Sequence, residues 1–155
     1  MTREDDIRAI RRWFSEGWEG NLDLAEEIFS PALTTNGVAV GIEGPKRNNR
    51  NRLAGFPDVH VVIEEIIEAG DRFVIRLVWQ GTHTGPYSGV SATRRVVRVR
   101  GLAIWRFASG KVVEIWSIQD QFSLLQQIGV VSPDIGGVQV PVEPEGAPRG
   151  PHRDA

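Results

Sequence analysis

Asp120 has the most direct claim to chemistry in this chain. It lies in the stretch Lys111 to Gly129, at the point where a strand-like run turns helical. A second strand-like run, Thr93 to Phe107, precedes it, and the Ser109-Gly110 link between them carries a hairpin signal. A two-residue turn there predicts Trp105 opposite Glu114, Ala103 opposite Trp116, Gly101 opposite Ile118 and Val99 opposite Asp120. Side chains alternate along a strand, so this set shares one face and Arg94, Arg98, Arg100 and Arg106 take the other. A carboxylate among Val97, Val99, Trp116 and Ile118 is partly desolvated, which disfavours its charged form and suits proton transfer. The same residue type at the same place is also a favoured helix N-cap. Spacing alone leaves both readings open.

Three histidines are present. His83 continues the parity of Phe73, Ile75, Leu77 and Trp79, so it is placed as a donor or second proton carrier beside Asp120, or else as a turn histidine bonded to backbone in GTHTG. His60 shares parity with Glu64 and falls on the other face of its strand, and His152 lies in the tail. Trp79, Trp105 and Trp116 can stack on a flat ligand or fill the core. No histidine and acid spacing matches a zinc or iron site, and no Gly-rich phosphate loop follows a strand, so no metal or cofactor is expected.

The elements that must position these groups are legible in outline. Thr2 and Asp5 resemble a capping box, and Ile7, Ile10, Phe14 and Trp18 recur at helical spacing, predicting a helix from about Arg3 to Glu19. Asp23 and Glu26 open a second helix that Pro31 should stop. Thr34 to Ile42 reads as a short strand, and Gly44-Pro45 opens a third helix. That third helix is polar: Lys46, Arg47, Arg50 and Arg52 read as a solvated face, with Asn48, Asn49 or Asn51 available to a cavity mouth. Val59 to Ala69 and Arg72 to His83 form the next hairpin, turned at Gly70-Asp71. The sum is an α+β domain, helices packed on one face of a mostly antiparallel sheet. Residues 1–130 form that domain, and the Pro/Gly-rich 131–155 is expected to be an irregular tail, with Val138, Val140 and Val142 as a possible edge strand.

Composition narrows the classes. The chain of 155 residues has net charge -2 and pI near 5.9, so nothing favours nucleic acid or an anionic membrane surface. There is no cysteine, which excludes disulfides and thiolate catalysis. The charged N-terminus and the lack of a long apolar run predict a cytoplasmic protein with no membrane partner.

Taken as a set, FPD at Phe56 to Asp58, AGD at Ala69 to Asp71, GTHTG at Gly81 to Gly85, RFASGKVVEIW at Arg106 to Trp116, and Asp120 followed by LLQQIG resemble the SnoaL-like polyketide cyclase and ester cyclase family. The resemblance covers roughly Ile7 to Gly129. It implies the nuclear-transport-factor-2-like fold, a cone-shaped barrel with a curved sheet against N-terminal helices, often dimeric. It also implies a cofactor-independent cyclase that acts on a polyketide-type intermediate of secondary metabolism, with the carboxylate matching Asp120 as acid/base of an aldol-type ring closure. Trp79, Trp105, Trp116, Val99, Ile118, Trp18, Asn36 and His60 are then the expected pocket residues, with Trp18 closing the cone and His83 assisting Asp120. Many relatives carry His where Thr35-Asn36 stands here, and a PTG-like turn in place of Ser91-Ala92-Thr93. The alternatives that remain open are a pericyclic (Diels–Alder-type) or epoxide-opening cyclase in the same pocket, and a small-molecule-binding or dimerisation module without catalysis.

Overall fold

The computed structural model describes residues 2–136, so the valine strand expected at Val138 to Val142 lies outside the described residues. The capping box at the start is real. Thr2 Oγ1 accepts from the Asp5 N–H at 3.2 Å, and the Asp5 carboxylate accepts from the Thr2 N–H at 2.9 Å. Helix α1, Arg3–Arg12, then widens into a π turn, Trp13–Gly17, closed by the Trp18 N–H donating to the Trp13 carbonyl at 2.9 Å. Helices α2, Leu24–Ile28, and α3, Glu43–Gly55, complete the helical side.

The strands are β1 Phe29–Thr35, β2 Val38–Ala39, β3 His60–Ala69, β4 Arg72–Thr82, β5 Val96–Ala108 and β6 Lys111–Gln119, and helix α4 is Gln121–Gln127. They form one sheet in the order β2-β1-β6-β5-β4-β3, antiparallel except where β1 runs parallel to β6. The strand expected from Thr34 begins earlier, and Pro31 sits inside β1 instead of ending a helix. Pro31 falls between the Phe29–Val112 and Thr34–Glu114 pairs, where the ladder is interrupted, so its missing N–H leaves no partner unpaired.

Inner-face residues of β4 and β5 (Phe73, Ile75, Leu77, Trp79, Val97, Val99, Trp105 and Phe107) are buried against the helices. Edge-to-face contacts knit this layer to the π turn, with Trp13 to Phe29 at 4.9 Å and Phe29 to Trp105 at 5.4 Å between ring centroids.

The β5–β6 hairpin turns at Ser109 and Gly110, both left-handed at φ 51° and 76°, as expected. Its register departs from expectation one residue later. Phe107 pairs with Val112, but Arg106 pairs with Glu114, so Val113 is an extra residue on β6. Beyond this bulge Trp105 lies opposite Ile115, Ala103 opposite Ser117 and Gly101 opposite Gln119, in place of Glu114, Trp116 and Ile118. A one-residue slip sends every following side chain to the other face. The physical reason is visible at Glu114. Without the bulge its carboxylate would face Trp105; with it, Glu114 lies 3.9 Å from Arg72 and 3.6 Å from Arg106, and Ile115 turns into the core.

Candidate functional site

Two cavities share residues of α3 in their linings. The inner chamber, about 90 Å3, lies among Trp13, Phe14 and Trp18 of the first helical segment, Asn48, Asn49 and Arg52 of α3, and Trp105, Ser117 and Gln119 of the sheet. The outer vestibule, about 360 Å3, is bounded by Asn48, Asn51, Arg52 and Ala54 on one side and Pro86, Tyr87 and Ser88 on the other. Asn48 and Arg52 line both, and the two adjoining spaces are together termed the throat.

Local structure holds the throat's polar groups. Asn49, buried in α3, donates to the Gly17 carbonyl of the π turn at 3.0 Å and accepts from Arg52 Nη1 at 2.8 Å. The Arg52 guanidinium carbon stands 3.4 Å from the Trp18 ring centre. Burial brings the Arg52 pKa down to about 10, partly countered by Tyr87, and the group is still cationic at neutral pH. On the sheet side the Trp79 indole N–H donates to Gln119 Oε1 at 3.0 Å. Gly101 leaves room for this pair, since a Cβ there would stand 3.4 Å from Gln119 Cγ and 3.2 Å from Leu77 Cδ1.

The expected pocket residues divide among several places. Trp18 and Trp105 line the chamber, and Trp79 is joined to it through Gln119. Val99 is buried in the core but borders neither cavity. His83 is fully buried and stacked on Phe56 at 5.3 Å. Its Nδ1 accepts from the Thr93 N–H at 3.2 Å and contacts Thr93 Oγ1 at 3.0 Å, which puts the proton of a neutral ring on Nε2; that atom has no partner among the described residues. His60 is exposed and bonds Glu19 at 3.0 Å, outside the throat. Its position at the start of β3 makes it part of a surface pair rather than a pocket wall.

Asp120, Trp116, Ile118 and Asn36, expected beside Trp79, instead line a depression of about 830 Å3 on the outer face of the sheet, with Arg76, Arg98, Arg100, Leu102 and Ile104. The bulge at Val113 put Trp116, Ile118 and Asp120 there, and Asn36 follows β1 in the turn to β2. Asp120 caps α4: its Oδ1 accepts from the Ser123 N–H at 3.0 Å, and Oδ2 has no protein partner among the described residues. Asn36 pairs with β6 as a strand would, accepting from the Ser117 N–H at 2.9 Å and donating to the Ser117 carbonyl at 3.2 Å. Trp116 and Ile118 are 49% and 78% exposed, so neither is enclosed around a ligand. The outer depression is larger than either space of the throat, yet it is one open sheet face, whereas the chamber is walled by helices on one side and sheet on the other. We therefore place the candidate site in the throat.

Sequence reasoning missed Arg52 and Gln119. Arg52 sits in a run of basic residues that reads as a solvated helix face, and only the approach of Trp18 shows otherwise. Gln119 is the neighbour of the residue that parity favoured, displaced by a single bulge. Among the described residues no group of three or more His, Asp or Glu is placed to hold a metal ion, and no helix is long and apolar enough to cross a membrane.

Helices closing one side of a curved, mostly antiparallel six-stranded sheet define the nuclear-transport-factor-2-like class. The family model of SnoaL-like polyketide cyclases matches residues 8–128, and the chain belongs to that family. Among solved structures, a candidate SnoaL-like polyketide cyclase from Jannaschia sp. CCS1 is 28% identical, with TM-score 0.73 over 81% of this chain and 92% of the other. IdmH from Streptomyces antibioticus, a candidate polyketide cyclase, is 27% identical, with TM-score 0.71 over 81% of this chain and 99% of its own. AclR from Streptomyces galilaeus, a candidate hydroxylase, is 23% identical with TM-score 0.76 over 88% and 87% of the two chains, a likeness of fold alone. No curated protein matches the sequence.

Proposed function

We propose that this protein closes a ring in a polyketide-type small molecule, without a cofactor, and that the substrate occupies the throat. The observation that carries this reading is the lining of the chamber, aromatic surface from Trp18 and Trp105 beside amide and guanidinium donors from Asn48, Arg52 and Gln119, with Asn48 and Arg52 also bordering the vestibule, in a cyclase-family fold. The chamber alone is a few water volumes in size, so a substrate of several rings has to extend into the vestibule.

Two routes divide on Asp120. In an aldol-type or epoxide-opening closure Asp120 carries the proton, and its free Oδ2 has to reach the substrate from the end of β6. In a pericyclic closure the throat folds a polyene and no proton moves. Neither cavity lining contains a carboxylate among the described residues, and this favours the pericyclic route. Turnover of a panel of linear poly-β-ketones and polyenes, read by mass spectrometry, tests the proposal. Asp120→Asn is expected to keep turnover within about threefold, since Asn caps a helix as well as Asp does. A loss of about a hundredfold or more establishes Asp120 as the proton carrier and refutes the pericyclic route. If the wild type turns over no member of the panel, ring closure falls and a binding module remains.

The outer sheet face supports a further proposal of assembly, a homodimer. Leu102, Ile104, Trp116 and Ile118 are exposed together there among arginines, an apolar cluster that a second copy could cover.

A further inference from the structure

Arg52 is the one charged side chain among the described residues that line the chamber and the vestibule, and it lines both. It also differs from several other arginines of this chain. Arg12, Arg50, Arg72, Arg76 and Arg106 each have a Glu or Asp within ion-pair reach, drawn from an ample supply of 20 acidic residues. Arg52 has none among the described residues. Its neighbours include the Trp18 face and the Asn49 side-chain oxygen, neither of which carries a charge. A guanidinium carries five N–H donors in a planar fork, and here one of them has a protein acceptor.

An uncompensated cation in a desolvated position is costly, and stacking on one indole offsets only part of that cost. Arg52 borders both cavities, where the dielectric is lower than in bulk water and an arriving anion would be strongly attracted. We infer that Arg52 is the anion-binding side chain of the throat, and that the molecule closed there enters as a carboxylate, held by charge-assisted bonds to the guanidinium with its apolar body directed over Trp18 and Trp105. The second half of this inference rests on the ring-closure reading. The first half does not. Asn49 is then a positioning residue: fixed by Gly17, it keeps the guanidinium in the plane that stacks on Trp18.

Binding of 2-naphthoate and of its methyl ester, measured by titration calorimetry on the full chain, tests the inference because the two probes share a ring system and differ in charge. The wild type is expected to bind the acid at least about tenfold more tightly than the ester, with an affinity that weakens as salt rises. Arg52→Gln should bring the two affinities within about twofold by weakening the acid alone, and Arg52→Lys, still cationic but without the fork, should restore an intermediate preference. The idea is overturned if the wild type does not distinguish acid from ester, if it binds no acid at millimolar concentration, or if the preference survives in a folded Arg52→Gln. Should that variant fail to fold, the salt dependence of the wild-type preference decides instead: a preference indifferent to salt overturns the assignment. Failure here leaves ring closure standing, because that is read in turnover; a chain that prefers the acid but turns over nothing loses only the ring-closure proposal.

Discussion

Truncating Ile115 and Ile118 separately tests the register on which the whole assignment of faces depends. In the observed sheet Ile115 is 8% exposed and packs beside Trp105, whereas Ile118 is 78% exposed on the outer face. Burying an isoleucine side chain is worth about 1.5–3 kcal/mol, so the roughly one-fifth of Ile118 that is covered corresponds to about 0.3–0.7 kcal/mol. Ile115→Ala also opens a cavity, and the expected cost rises to about 2–5 kcal/mol. Urea unfolding of the two variants at low protein concentration reads the difference as a midpoint shift at constant slope. The unbulged register reverses the order, because it puts Ile118 inside against Gly101 and Trp79. An Ile118→Ala cost above about 2 kcal/mol at low concentration, with a mild Ile115→Ala, refutes the bulge and returns Asp120 to the inner face. Repeating the Ile118 measurement across protein concentrations examines the proposed homodimer as well, since a cost that grows with concentration belongs to a contact between copies. A concentration-independent cost, with light scattering giving a monomer at every concentration, refutes that dimer.

Two further outcomes follow from the same geometry. Gln119→Leu leaves the buried Trp79 N–H without its acceptor and is expected to cost about 1–3 kcal/mol; a double-mutant cycle with Trp79→Phe that shows no coupling refutes the bond. Asp58 accepts from the Thr82 N–H and Oγ1, both at 2.7 Å, and although desolvation raises its pKa, these bonds more than offset that and hold it below the ordinary aspartate value of 3.8. A lowered folded-state pKa means stability that is present above the unfolded value and lost as pH falls through the folded one. Thermal melts should therefore show a wild-type loss below about pH 4 that Asp58→Asn lacks, and parallel pH profiles would refute the contribution.

The chain's own order of residues determined a good deal. Thr2 and Asp5 marked the first helix, Ser109-Gly110 marked the hairpin, and the alternation of Phe73, Ile75, Leu77 and Trp79 marked the inner face of β4; each appears as expected, because caps, two-residue turns and strand parity depend on neighbours within a few positions. The α+β class and the family were legible on the same footing.

Which side chains share a recess was decided only in three dimensions. Val113 became a bulge because Glu114 finds Arg72 and Arg106 outside the sheet and Ile115 finds Trp105 inside, a balance between strands that no local pattern contains. That single extra residue exchanged Asp120 for Gln119 at the inner wall. Arg52 likewise left a solvent-facing pattern for the face of Trp18, since stacking and desolvation are set by what an element meets across space, and not by its neighbours along the chain.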